Sequence, residues 1–164
     1  VEVVVNDFSF KTKKLLFATN GFAGELTKGA VKPARAQVLI TEPIRNLDIK
    51  GTFHLDKGYY YFRNFEDRIL LGGGRNLDLE GETTTELAQT EIIQSKLEQL
   101  LKEVILPNQS FEIEHRWSGI MGVGNHKKPI VKQLSERVFC GVRLGGMGVA
   151  IGSMVGKELA DLID

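Results

Sequence analysis

The residues best suited to chemistry lie near the C-terminus. There the apolar run Val138-Phe139-Cys140-Gly141-Val142 passes into Leu144-Gly145-Gly146-Met147-Gly148, and a second apolar stretch follows as far as Ile163. The pattern is a buried strand, a glycine turn and a helix. Gly146 and Gly148 remove side chains where the helix begins, which lets a ligand approach backbone N–H groups directly. The positive end of the helix dipole favours a phosphate, a carboxylate or any group gaining negative charge. Gly145, Gly146, Met147, Gly148 and Val149 are therefore candidate ligand contacts through their backbone. The same glycines would equally serve close packing of strand on helix, and local chemistry leaves both readings open. The turn is not G-x-G-x-x-G, and it lacks the Lys-Ser/Thr of a phosphate-binding loop.

A second candidate is Leu15-Leu16-Phe17-Ala18-Thr19-Asn20-Gly21. A strand that ends in Thr-Asn-Gly suits the edge of a nucleotide site, and it also suits a plain turn. His54, His115 and His126 are widely separated with no metal-ligand spacing, so no metal site is expected. No G-x-S-x-G elbow is present. Cys140, the single cysteine, lies in an apolar run and reads as a core thiol rather than a nucleophile.

The elements that must position these turns follow from periodicity. Val1–Val5, Lys14–Ala18 and Gln37–Thr41 read as strands. Gly51–Leu55, Tyr59–Arg63 and Arg68–Leu71 form an antiparallel meander with turns at Asp56-Lys57-Gly58 and Asn64–Asp67. Thr83-x-x-Glu86 reads as a capping box opening a helix over 84–105, with Ile93, Leu97, Leu100, Leu101 and Val104 on its apolar face and Pro107-Asn108 ending it. Phe111–Trp117 alternates as a strand with one wet face. Antiparallel strands in the middle, with strand–turn–helix elements at both ends, predict an α+β fold of two interleaved subdomains.

Composition narrows the function class. With 21 basic and 21 acidic residues among 164, the chain has no excess charge to attract nucleic acid or an anionic membrane. A hydrophobic content of 42% is enough for a sizeable core. One cysteine rules out an internal disulfide and fits a reducing, cytoplasmic location. Val138–Val155 is interrupted by Arg143 and reads as strand and turn rather than a membrane span. The chain begins at Val1 within a strand-like run, which reads as a piece of a longer protein.

Taken in order, these segments resemble the D-amino-acid oxidase family of FAD oxidoreductases, which includes glycine oxidases and monomeric sarcosine oxidases. Lys14–Phe22 looks like the family's "vvlATngf" strand. Pro33-Ala34-Arg35-Ala36-Gln37-Val38 looks like "P-x-R-G-Q-v", with Ala36 in place of Gly. Tyr59–Arg63 followed by Asp67–Gly74 looks like "yyr…d-R-l-l-f-G-G-g". Trp117-Ser118-Gly119 looks like "W-x-G", and Gly145–Gly148 with Gly156, Leu159 and Ala160 looks like "s-G-h-G…G…l-A".

The resemblance implies an antiparallel or mixed substrate-domain sheet joined to the C-terminal strand–helix and edge strands of an FAD-binding domain. On this division 1–32 and 116–164 belong to the FAD-binding domain and 33–115 to the substrate domain. It implies oxidation of a small-molecule amine or amino acid by hydride transfer to flavin. Ala18, Thr19, Gly21 and Gly145–Val149 would touch the cofactor. The family's G-x-G-x-x-G opening is absent here, so a missing N-terminal FAD-binding segment is the expected partner. This chain alone would then bind FAD weakly or not at all and be inactive. A second copy of the chain is a further expected partner, covering a bare edge as a homo-oligomer. The alternative is a non-catalytic binding module that retains the fold.

Several positions depart from the family pattern. Met121 stands where glycine-oxidase-like members have a carboxylate-binding Arg, and Ala150 where the sarcosine-oxidase branch has Lys. Met121–Lys128 contains no Cys, which implies non-covalent flavin. Arg143, where many members have Gly, is a candidate substitute anchor for a substrate carboxylate or else a surface ion-pair former. Tyr60 and Arg63 are candidate substrate contacts, or else core and surface residues.

Overall fold

The computed structural model describes residues 1–163 and has an α+β fold. In chain order the strands are β1 Glu2–Val5, β2 Phe8–Lys11, β3 Leu15–Phe17, β4 Lys32–Thr41, β5 Thr52–Leu55, β6 Tyr60–Phe65, β7 Arg68–Gly73, β8 Ile113–Val123, β9 Ile130–Ser135 and β10 Val138–Val142. The two α-helices are α1 Glu91–Leu100 and α2 Gly148–Asp161. Two compact units result: Val1–Ala34 with Met121–Asp164, and Arg35–Ile120. The chain enters the second unit along β4 and leaves it along β8.

In the first unit β10 lies between β3, which is parallel to it, and β9, which is antiparallel. β1 and β2 form a separate hairpin closed by Asn6-Asp7, with Asn6 in the left-handed region at φ 52°. A small core of Ala23, Val31, Cys140 and Val142 forms around β10. α2 packs on β10 at Gly141, where a Cβ would lie 3.1 Å from Leu159 Cδ2. Val155 and Leu159, four apart, are the buried stripe of this helix.

The second unit is built on a five-stranded sheet of order β5-β6-β7-β4-β8. Alternation along its strands sends Leu39, Tyr60, Phe62, Ile69 and Leu71 to one face, where Ile93, Leu97, Leu101 and Ile105 meet them. The expected meander is present as β5–β6–β7.

Two differences from the sequence expectation concern α1. The helix begins at Glu91 after Thr90, not at Thr83. Thr83 spends its hydroxyl on the Leu79 carbonyl at 2.6 Å and caps nothing. The cause is non-local. Glu82 is fully buried beside Arg35, and Gln37 holds both Glu82 and Thr90, so 82–90 is tied to β4 and cannot coil. At the other end Leu101–Ile105 forms a π-helical turn in which the Leu106 N–H reaches the Leu101 carbonyl at 2.7 Å. One residue is added per turn, so Ile105 is buried and Val104 is turned outward. Strand β9 lies where the sequence pattern predicts no element, and β4 starts five residues before Gln37.

Candidate functional site

Parallel strands β3 and β10 end at the same edge of their sheet, and each runs into a turn. Ligands of open sheets gather at the carboxyl ends of parallel strands. After β3, Ala18-Thr19 leads into a single 3-10 turn, Asn20–Phe22. Asn20 takes φ 44°, a conformation its short polar side chain tolerates. Its Oδ1 accepts the Leu144 N–H at 3.0 Å. The Gly145 N–H donates to the Gly122 carbonyl at 2.9 Å. Gly122 sits so close to Asn20 that a Cβ there would lie 2.7 Å from Asn20 Oδ1. The turns after β3 and β10 and the end of β8 are thus laced together within the first unit.

Close packing and backbone conformation both act on the Gly145–Gly148 turn, where a Cβ on Gly148 would lie 3.3 Å from Leu144 Cδ1. Close packing of helix on strand occurs at Gly141, whereas a Cβ on Gly145 would meet nothing within 4 Å. Gly145 and Gly146 are needed for their left-handed φ of 59° and 82°. The Cβ position of Gly146 lies 3.2 Å from Met121 Sδ, so Met121 packs against the turn.

Three backbone donors result. The Met147 N–H is taken by the Leu144 carbonyl, and Ala150 and Ile151 both donate to the Met147 carbonyl. The N–H groups of Gly146, Gly148 and Val149 have no acceptor among the described residues. No side chain caps α2, and its first turn carries no acidic residue. Val149 and Met147 are exposed. Unpaired donors at the amino end of a 14-residue helix suit an electron-rich edge or an anion. Thr19 and Ala18 are exposed beside this turn, while Gly21 is buried beneath the 3-10 turn.

Arg143 precedes the turn at φ 65°. Its guanidinium donates to the Lys128 carbonyl at 2.9 Å through Nε and to the Ala30 carbonyl at 3.3 Å through Nη1. No carboxylate pairs with it among the described residues. A larger cavity of about 360 Å³ lies at Leu26–Lys28 and Lys132–Val138, and no residue of the turn lines it.

In the second unit, Tyr60 and Arg63 are three residues apart on β6 and point to opposite faces. Tyr60 is buried in the core under α1, where burial pushes its phenol above the ordinary value. Arg63 is exposed on the other face and lies over the Phe65 ring at 5.6 Å. Tyr61 is a candidate that the sequence does not single out. Register aligns His54, Tyr61, Gly72 and Val38 across four strands on the face opposite α1. The Tyr61 ring lies flat over Gly72, with its hydroxyl 2.7 Å from where a Cβ would stand. Burial raises this phenol as well, keeping it a protonated donor. His115 and Trp117 stack at 5.6 Å on β8, whose intervening Arg116 reaches instead to Gln94 and Glu98 of α1. The register that brings Tyr61 over Gly72 is set by pairing, so the sequence carries no local signal for it.

No group of His, Cys, Asp and Glu able to hold a metal exists among the described residues. No described helix is long and apolar enough to cross a membrane.

A glycine turn with unpaired N–H donors at paired strand ends, carried on an α+β chain, is a candidate ligand-binding site. The FAD dependent oxidoreductase family model (DAO) matches residues 1–162, and the chain belongs to that family. Among solved structures it is similar to iminodiacetate oxidase from Chelativorans sp. BNC1, with 18% identity and a TM-score of 0.80, covering 99% of this chain and 45% of that one. Glycine oxidase from Geobacillus kaustophilus is similar at 17% identity and TM-score 0.77, covering 96% and 43%. L-proline dehydrogenase from P. horikoshii is similar at 21% identity and TM-score 0.75, covering 96% and 44%. The chain therefore spans under half the length of these neighbours. No curated protein sequence matches at a significant level.

Proposed function

We propose that this chain supplies the flavin-contacting turn and the substrate-covering sheet of an FAD-dependent oxidoreductase that oxidises an amine or amino acid. The observation that carries this reading is the set of three unpartnered N–H groups at Gly146, Gly148 and Val149. Bound FAD would supply the two-electron acceptor, taking hydride from the carbon next to the substrate amine. The chain's own contribution is electrostatic: these N–H groups and the α2 dipole stabilise the negative charge that collects on the cofactor's electron-rich edge. Ala18 and Thr19 border the same turn, while Gly21 and Asn20 hold its geometry.

Tyr61, with Arg63 on the same sheet face, is the proposed substrate contact in the second unit. Tyr60 supports that face from the core side. Met121 makes the wall of the turn apolar, so a substrate carboxylate must find its anchor elsewhere. The reading includes an additional dinucleotide-binding segment, because no G-x-G-x-x-G occurs in these residues. The 164-residue chain alone is then expected to be colourless and inactive, and purification with stoichiometric flavin would contradict this. In the protein that joins this chain to such a segment, an anaerobic screen of amines and amino acids should bleach the flavin. A screen in which no amine or amino acid bleaches it would reject the substrate class. The second reading, a non-catalytic module, is favoured only if flavin binds the joined protein and no substrate reduces it.

A further inference from the structure

We propose that the cleft lined by Lys32, His126 and Arg143 binds a small oxyanion, a phosphate or a carboxylate. The cleft lies in the first unit, holds about 210 Å³ and is walled by Gly29, Ala30, Lys32, Gly124, Asn125, His126 and Arg143. That volume accommodates one phosphate with a few waters, each of which takes roughly 30 Å³. A lysine, an arginine and a histidine line it, and its walls contain no carboxylate. Neither Lys32 nor Arg143 has an ion-pair partner among the described residues. Acidic and basic residues are equal in number over the whole chain, so this pairing of cations is a local feature and not a consequence of general basicity.

The cleft is built at a cost. Arg143 holds φ 65°, a conformation that disfavours any residue with a Cβ, and strain of this kind concentrates where a site requires it. Its Nε and Nη1 are fixed by carbonyls from two different loops, Lys128 and Ala30. Nη2 takes no acceptor among the described residues and remains available to an oxyanion. Gly124 permits the approach of these loops: a Cβ there would stand 2.7 Å from the Ala30 carbonyl oxygen and 2.8 Å from Arg143 Cδ. A guanidinium fixed in this way loses little freedom when an anion arrives.

The test uses the 164-residue chain without flavin, so its outcome is independent of the oxidoreductase reading. Orthophosphate, and separately malonate, is titrated at constant ionic strength, following amide shifts of Gly124 and His126 by NMR. Saturable shifts are expected, and the tighter of the two anions identifies the ligand as phosphate-like or carboxylate-like. Arg143→Gly removes the guanidinium and suits the left-handed backbone. It should weaken binding about tenfold or more, the effect of losing a charge-assisted hydrogen bond. Lys32→Gln should weaken it severalfold, and Lys102→Gln, on the other unit, should change nothing. Shifts that rise linearly without saturating, or equal affinity in Arg143→Gly, would overturn the proposal. Lys32 is exposed, so unchanged affinity in Lys32→Gln overturns it as well, whatever the folding of the Arg143 variant.

Discussion

The two units treat their buried and polar groups in opposite ways. In the second unit Arg35 is buried and donates through Nε and Nη2 to Glu82, at 3.1 and 2.7 Å, while Gln37, Thr90 and Gln94 close the network around them. In the first unit Arg143 is strained, half-exposed and tied only to carbonyls, and three backbone donors nearby stay open. The cores differ in the same sense. Eleven buried residues pack between sheet and α1, against four around β10. The second unit is organised for stability and the first keeps unsatisfied groups at its surface. Unsatisfied donors on a fixed scaffold are what an electron-rich group requires, so the contrast singles out the first unit's turn as the proposed cofactor contact, while the proposed substrate contact lies on the open sheet face of the second unit.

The contrast can be broken most severely at Glu82. Glu82→Ala leaves the Arg35 guanidinium buried without its partner, and a loss of about 3–5 kcal/mol is expected. Urea unfolding followed by fluorescence of Trp117, the only tryptophan, measures it in the unit concerned. Leu97→Ala empties the centre of the same core and should cost about 2–5 kcal/mol by the same assay. Arg143 should behave otherwise. Arg143→Gly relieves the left-handed strain while losing two hydrogen bonds of about 1 kcal/mol each, so the net change stays within about 1 kcal/mol. Arg143→Ala keeps the strain and loses the bonds, and a thermal melt should rank it below Arg143→Gly.

The smallest effect is on pH dependence. Burial raises the Tyr60 phenol above its unfolded value of 10.0. Its contribution to stability is complete below that value and is lost as pH rises through the folded one, because the folded state then holds more protons than the unfolded state. Stability should therefore fall on the alkaline side, and Tyr60→Phe should flatten that limb in a pH series of urea melts.

What the sequence revealed divides along the same line. Val138–Val142 and the meander were legible because an apolar run or strict alternation is a local signal. The start of α1 was not, because the tie that cancels the Thr83 capping box comes from Arg35 and Gln37, more than 40 residues away. A π-helical turn leaves no mark in a 3.6-residue period, so periodicity alone puts Val104 on the buried stripe. The glycine turn after β10 was visible by composition, but the part played by Asn20 in holding it was not, since that depends on two parallel strands ending together. Adjacent tyrosines cannot be assigned to faces before the register is known, so the sequence does not separate Tyr60 from Tyr61.

The central claim is that the amino end of α2 stabilises a reduced flavin. Val149 is fully exposed, and proline is tolerated in the first turn of a helix, so Val149→Pro deletes one of the three open N–H groups with little other change. In the flavin-loaded protein carrying this chain, the two-electron potential should fall by roughly 30 mV or more. Val149→Ala, which keeps the N–H, should leave the potential unchanged. A Val149→Pro protein with the potential of the parent would contradict the account.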